Sequence, residues 1–196
     1  MSSVPNEGVL KNEVISNDLP LTFKVKYLGM EYARGLWGIK HTRRPVDHLV
    51  TMAKTSRTAS QTLPLCNLTI SLDGVFIEAT VLPQSNTIKE WNYSIDSISY
   101  GVQDLVYTRV FAMIVVKDNF NIQDPNPFEV HAFVCDSRAL ARRLTYALAA
   151  SFQDYSKRVK EIEQQITPQQ MTTAKKKFAI DLRTPEEMQQ DQETEA

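Results

Sequence analysis

The pattern of hydrophobic and polar positions predicts strands through the first two thirds of the chain. Residues 21–29 alternate between apolar and polar side chains, which is the period of a half-buried strand. Residues 45–54 have helical spacing instead, with Pro45 suited to the first turn of a helix. The folded part therefore begins with a strand, a connection and a short helix.

More strand-like segments follow this helix. Residues 65–80 alternate on both sides of Asp73–Gly74, a dipeptide typical of tight hairpin turns. Three further segments have strand character: 91–102, which is interrupted near Asp96, 109–118 and 128–136.

The pattern then changes to that of one long helix. Asp136 or Ser137 can cap it, and neither glycine nor proline occurs from there to about residue 165. Leu144, Leu148 and Phe152 recur every four residues and form an apolar stripe. Because strands with one apolar face and a helix with one apolar stripe bury each other, we predict an α+β fold. It consists of a curved sheet, or two near-orthogonal antiparallel sheets, capped by the C-terminal helix.

Residues outside this pattern are polar. We predict a flexible arm over 1–20, a domain over 21–160 and a partly helical tail over 161–196. In the tail, Thr167–Pro168 and Thr184–Pro185 are each typical of a helix start, and 175–183 has the form of a linear docking motif. A segment that folds back on the domain or stays solvated is the plainer interpretation.

Composition narrows the class of protein. A hydrophobic share of 42% in 196 residues can supply a core, and a net charge of −1 gives no general attraction to nucleic acid. No apolar run approaches the length of a membrane span, and the N-terminus lacks a hydrophobic signal region. We expect a cytoplasmic protein. Cys66 and Cys135 lie in apolar runs, which favours buried free thiols over a disulfide.

Catalytic and cofactor motifs are missing. Neither a phosphate-binding glycine loop nor a nucleophile elbow occurs, and the three histidines, His41, His48 and His131, lack metal-ligand spacing. We expect no enzyme activity, no metal and no cofactor.

Glycine at position 101 interrupts the strand around Ile98–Val102. A glycine within a strand often marks the close approach of another backbone. A free sheet edge can accept an extended peptide as an added strand. The terminal helix could form the opposite wall, with Phe152 projecting from its stripe.

These segments together resemble one family. The stretches KVKYLG, ARG (33–35), LTISLDGVFI (68–77), ISYGVQD (98–104), VFAMIVV (110–116) and HAFVCDS, with the helix after it, resemble the phosphotyrosine-binding (PTB or PID) domains of adaptors such as Disabled, Numb and Shc. The resemblance covers roughly residues 20–160. It implies a PH-like β-sandwich of two nearly orthogonal antiparallel sheets capped by a C-terminal helix.

The resemblance also implies a function. The family binds Asn-Pro-x-Tyr segments of receptor tails by strand addition and links them to signalling or endocytic machinery. Carried over by position, the peptide would contact Ile98, Ser99, Tyr100, Gly101, Val102, Arg109, Leu148, Ser151, Phe152 and Tyr155. Glycine at position 101 differs from the residue that Disabled and Numb relatives usually have there. Arg109 matches an arginine that contacts phosphotyrosine in Shc-like members, but no second cation is identified, so we favour binding that does not require phosphorylation.

Related domains also hold phosphoinositide head groups, and this offers an alternative function at the inner face of the plasma membrane. The matching basic residues are Lys24, Lys26, Lys40, Arg43, Arg44 and Arg57. A solvated basic face is an equally good interpretation, and 62–64 lacks the lysine that Disabled-like members carry. A pleckstrin-like lipid-binding module is therefore the alternative to the adaptor.

Two segments of the chain could themselves act as ligands. The segment 126–128 resembles a ligand of endocytic domains, although a structural turn is the better interpretation. A third hypothesis places the chain's own segment 175–190 in the peptide groove as an autoinhibitor. A native strand already paired with residues 98–102 would count against the adaptor interpretation.

Overall fold

A computed structural model describes residues 13–57, 62–80, 88–117, 123–165 and 179–194. Within these ranges the elements follow in this order: β1 (Leu21–Ala33), α1 (Ile39–Arg57), β2 (Leu65–Ser71), β3 (Gly74–Thr80), β4 (Ile88–Ser94), β5 (Ile98–Gln103), β6 (Val110–Val116), β7 (Phe128–Val134), α2 (Arg138–Gln165), β8 (Ala179–Asp181) and α3 (Pro185–Thr194). A short 3-10 turn separates β4 from β5, at the interruption predicted near Asp96.

β1 belongs to both halves of the sheet. It pairs antiparallel with β2 up to Lys26 and with β7 from Lys26 to Ala33. The register shifts between Tyr27 and Gly29, where Gly29 has φ +137°, a conformation that favours glycine. The sequence predicted that Gly29 would end the strand. It instead marks an irregularity at which one strand bends and continues.

The sheet wraps around a core. Its strand order is β4-β3-β2-β1-β7-β6-β5-β8, with β1 to β7 paired antiparallel to their neighbours. Buried side chains of both halves meet in one cluster, called the sandwich core here. Its members include Phe23, Leu68, Ile70, Ile98, Phe111, Phe133, Leu144, Leu148 and Phe152. α2 closes this core, which confirms the predicted α+β sandwich with a helical cap.

α1 covers the outer face of the second half. A second cluster, called the α1-side cluster here, joins Val46, Leu49 and Val50 to side chains of β5, β6 and β7. The helix begins at Ile39, so the prediction of a start at Pro45 is wrong. Pro45 lies inside the helix, because a turn closed by His41 N–H on the Gly38 carbonyl already starts it upstream.

Two other expectations can be compared with the structure. Cys66 and Cys135 are buried free thiols, as predicted, and burial raises the pKa of Cys135 to about 12. Across the described ranges, none of the helices is both long and apolar enough to cross a bilayer.

Candidate functional site

β5 lies near one end of the sheet, but its outer edge is not open. On one side it pairs antiparallel with β6, and on the other Tyr100, Gly101 and Val102 pair in parallel with residues 179–181. The expectation of a free edge over 98–102 is therefore wrong for this stretch. The occupant is the chain's own tail, as the third hypothesis placed it, and not a strand of the domain itself.

Side chains of β5 point to two different surfaces. Ile98 belongs to the sandwich core, whereas Tyr100 and Val102 belong to the α1-side cluster. Because successive residues of a strand face opposite sides, position 101 faces α2. Glycine there contributes no side chain on the α2 side of the strand.

Ser99 lies at an irregularity in this strand. The register between β5 and β6 shifts between Ile98 and Tyr100. The Ser99 hydroxyl donates to the Leu36 carbonyl at 2.5 Å, which ties the loop before α1 to the start of β5. Ser99 is therefore a positioning residue at the end of the edge.

The α2 residues predicted to face a peptide are mostly buried. Leu148 is fully buried, and Phe152 is 5% exposed within the sandwich core. Ser151 donates to the Ser71 carbonyl at 2.7 Å, which holds α2 to the β2–β3 turn. Tyr155 is half-buried, with the Arg158 guanidinium 5.8 Å from its ring centroid. β8 lies against both β5 and α2, which is the position of the predicted groove.

Polar contacts hold the tail strand and the residues after it. The Tyr100 hydroxyl donates to Asp181 Oδ2 at 3.0 Å. From α2, the Arg142 guanidinium donates to the carbonyls of Leu182 and Arg183. The tail thus has side-chain contacts with both walls of the groove in addition to its backbone pairing.

Electrostatics at Asp181 favour the docked, ionised carboxylate. Burial alone would raise its pKa, but hydrogen bonds from Arg183 and from the Tyr100 hydroxyl outweigh burial and hold the pKa below its ordinary value. Burial, together with the Asp181 charge, raises the pKa of Tyr100. The phenol therefore stays protonated as a donor throughout the physiological range.

α3 anchors the tail on the other face of the sheet. Met188 is 1% exposed and belongs to the α1-side cluster. Arg138 of α2 bonds Glu186 at 2.9 Å. Thr184 and Glu187 form reciprocal backbone-to-side-chain hydrogen bonds at the helix start, which the Thr184–Pro185 sequence predicted.

Sequence reasoning did not assign roles to Arg138, Arg142, Asp181 or Met188. The available signals were the docking-motif pattern over 175–183 and the helix start at Thr184. Neither signal indicates which edge the segment reaches, because that depends on tertiary contacts with α2 and β5.

Arg109 lies elsewhere on the surface. Its Nε donates to the Cys135 carbonyl at 2.9 Å. It lines a cavity of about 590 Å³ that is also lined by Lys26 and Lys54, which supply the additional cations that the sequence did not identify. The Lys54 amine is 5.4 Å from the ring centroid of Tyr107.

The six residues predicted for phosphoinositides do not form a single cluster. Lys26 lines the cavity just described, Lys24 lines another of about 210 Å³, and Lys40 and Arg44 line a third of about 850 Å³. Arg43 pairs with the carboxylates of Asp104 and Asp47. Arg57 ends α1, and its side chain lies outside the described part.

The third cavity is called the basic cavity here. It lies beside the N-terminal half of α1, and its basic lining residues are Arg34, Lys40, His41, Arg44 and His48. Burial lowers the pKa of His41, and the charge of Lys40 lowers it further. Among the described residues, no group of three or more histidine, cysteine or acidic side chains could hold a metal.

A solved structure has this fold. The solution structure of the C-terminal phosphotyrosine interaction domain of mouse APBB2 superimposes with a TM-score of 0.51, covering 77% of this chain and 93% of that domain at 18% sequence identity. No protein-family model matches the chain.

Sequence relatives are more similar. Low density lipoprotein receptor adapter protein 1 of Mus musculus and of Homo sapiens is 30% identical over 132 residues, and protein 1-B of Xenopus laevis is 31% identical over the same length. The match covers 67% of this chain but only 39% of each relative. The chain therefore has the fold of the phosphotyrosine interaction (PTB/PID) domains and is related in sequence to the low density lipoprotein receptor adapter proteins.

Proposed function

We propose that this chain is an adaptor domain that binds Asn-Pro-x-Tyr segments in the cytoplasmic tails of receptors. The peptide adds as a strand to β5, with α2 as the opposite wall, and the adaptor links the receptor to signalling or endocytic machinery. The relatives are named as adapters of the low density lipoprotein receptor, which supports this class of partner.

One observation carries the proposal: the outer edge of β5 accepts an extended segment. Residues 179–181 come from beyond α2, yet they pair with Tyr100, Gly101 and Val102. Backbone pairing of this kind depends little on side chains, so an edge that takes one extended segment can take another. The edge is therefore suited to strand addition.

Glycine at 101 gives the edge its second feature. The position faces α2, and α2 contacts both β5 and β8. A larger side chain at 101 would fill the space through which an added strand approaches. We propose that this glycine keeps the groove wide enough for the peptide and its side chains.

In this proposal, binding does not require phosphorylation of the peptide tyrosine. Arg109 lies with Lys26 and Lys54 around a cavity next to α1, whereas the added strand lies between β5 and α2. Arg109, Lys26 and Lys54 are thus grouped around this cavity, whereas Arg142, the α2 cation beside the added strand, bonds backbone carbonyls. Binding is therefore expected with unphosphorylated tyrosine.

The test is a calorimetric titration of the whole chain with a receptor-type Asn-Pro-x-Tyr peptide, its phosphotyrosine form and a form with Ala-Ala in place of Asn-Pro. For the first peptide we expect a micromolar Kd, which is a binding free energy of about −8 kcal/mol. For the third we expect no measurable binding. Gly101→Phe should remove binding, and Asn92→Phe, on the exposed face of β4, should not. Equal binding of all three peptides would contradict the proposal.

An alternative function has its own support. Three cationic side chains, Arg34, Lys40 and Arg44, line the basic cavity against one carboxylate, Glu31, and this excess of positive charge suits an anionic lipid head group. Each Lys or Arg near an anionic membrane surface contributes about 1 kcal/mol. Recruitment to phosphoinositide membranes is therefore proposed as a second, separable function of the α1 surface.

A further inference from the structure

We infer that residues 179–191 are an intramolecular ligand that occupies the β5 edge and must leave before a receptor peptide can bind. The inference rests on the proposed function, because it names a competitor for the same edge. The tail is then a built-in regulator of peptide binding.

Backbone pairing makes the two ligands mutually exclusive. A strand has two edges, and β6 uses one edge of β5 over its whole length. β8 uses the other at Tyr100, Gly101 and Val102, in the centre of the predicted peptide site. An incoming strand needs the same N–H and C=O groups, so it cannot bind while β8 is paired.

Side-chain contacts on both faces of β5 add specificity to this pairing. The Tyr100 hydroxyl bonds the Asp181 carboxylate, and the Arg142 guanidinium bonds two successive carbonyls of the tail. Hydrogen bonds to charged groups are stronger than neutral ones. These contacts fix the tail in one register along the groove.

The α1 side supplies an apolar anchor. The tail passes the end of the sheet, and Met188 enters the α1-side cluster, which also contains Tyr100 and Leu105. Gln189 donates to the Leu105 carbonyl at 3.4 Å. The tail thus holds the sheet from both faces, which a strand lying only in the groove would not do.

Local structure reduces the cost of docking. Pro185 starts α3, and the Thr184–Glu187 hydrogen bonds cap it. A segment that forms its helix from local signals loses less entropy on binding than an unstructured one.

The covalent link makes even a weak contact effective. Residues 166–178 join α2 to β8, and a segment tethered by a short connection has an effective concentration of mM order. A peptide of micromolar affinity then competes with a tail that is always present. Its apparent Kd equals the intrinsic Kd divided by the fraction of chains whose tail is undocked.

The experiment uses point variants of the whole chain. Ile180→Pro removes one backbone N–H from β8, and Met188→Glu puts a charge into the α1-side cluster, so each undocks the tail by a different route. Met52→Glu makes the same substitution at an exposed position of α1, outside the tail, and is the matched control. Hydrogen exchange of the amides over Tyr100–Val102 reports whether the tail has left, because those that face β8, unlike those that face β6, then lose their partner.

We expect both undocking variants to bind the Asn-Pro-x-Tyr peptide about tenfold or more tightly than the natural chain, and Met52→Glu to bind unchanged. A synthetic peptide of residues 176–194 should restore weak binding when added to Ile180→Pro.

Faster exchange in both variants with no gain in affinity would overturn the inference and leave the proposed function standing. Released tails with no peptide binding in any variant would instead overturn the proposed function, and the inference with it.

Discussion

Basic side chains that look equivalent in the sequence have different roles once their contacts are known. Arg43 and Arg44 are neighbours on α1, yet Arg43 pairs with Asp104, whose side chain is fully buried, while Arg44 is exposed beside the basic cavity. Asp104 also accepts the N–H groups of Val106 and Tyr107, so it shapes the turn between β5 and β6. Arg43 therefore has a structural role that charge patterning alone could not reveal.

We predict that Arg43→Met lowers the free energy of unfolding by about 3 kcal/mol, because it leaves a buried carboxylate without its ion-pair partner. Urea denaturation measures this. Arg44→Met is the matched control and should leave stability unchanged while weakening sedimentation with phosphoinositide vesicles. An Arg43→Met chain as stable as the natural one would show that the ion pair contributes nothing.

At the scale of elements, β1 holds the two halves of the sheet together. The strand pairs with β2 before Gly29 and with β7 after it, so the bend at Gly29 sets how the halves meet. A Cβ atom at position 29 would lie 2.9 Å from Leu49 Cδ2 of α1. The same glycine thus governs both the bend and the packing of α1.

Gly29→Ala should lower stability by about 1–3 kcal/mol, since the backbone there has φ +137° and the added methyl group meets Leu49. Gly38→Ala is the comparison, because its φ is +105° but the nearest atom lies 3.9 Å away. Thermal unfolding should rank Gly29→Ala below Gly38→Ala. The reverse order would mean that packing on α1 does not limit this position.

Most elements could be predicted from local pattern, because period and turn signals lie within each segment. The hairpin at Asp73–Gly74, the strand interruption near Asp96 and the helix after Ser137 all correspond to observed elements. The start of α1 and the continuation of β1 past Gly29 could not be predicted. Both depend on pairing and packing with distant segments, which outweigh the local preferences of proline and glycine.

The candidate site was predictable only in part, for the same reason. Gly101 and the strand around it were recognisable, since glycine within a strand is a local anomaly. The burial of Phe152 in the sandwich core and the pairing of Ile180 opposite Gly101 join residues far apart in sequence. A periodic stripe predicts that a helix face is buried, but it does not say against which surface.

For the whole molecule, the tail pairs with the same edge of β5 that the proposed function assigns to a receptor peptide. The groove walls, the tail strand and α3 form one continuous set of contacts that reaches from α2, around the β5 edge, to the α1-side cluster. A change at either face of the sheet can therefore alter access to the edge.

Acid should weaken the domain through His131, which lies where the two halves of the sheet meet. The ring contacts the Tyr27 hydroxyl of β1 at 2.9 Å, the Tyr93 hydroxyl of β4 at 3.3 Å and Glu129 of β7 at 3.1 Å. Burial lowers the pKa of His131 and outweighs Glu129, which raises it. The folded state therefore favours the neutral ring. Stability is complete above the ordinary pKa of 6.5 and declines as pH falls from there through the folded-state pKa.

We predict that the urea midpoint of the natural chain falls between pH 7 and pH 5, and that His131→Gln, which cannot take up a proton, shows a smaller fall. His48→Gln is the control, because His48 is exposed on α1. Because a variant at a buried site is less stable at every pH, the comparison uses the change in midpoint with pH and not the midpoint itself. An equal change in the natural chain and in His131→Gln would assign the acid sensitivity to other groups.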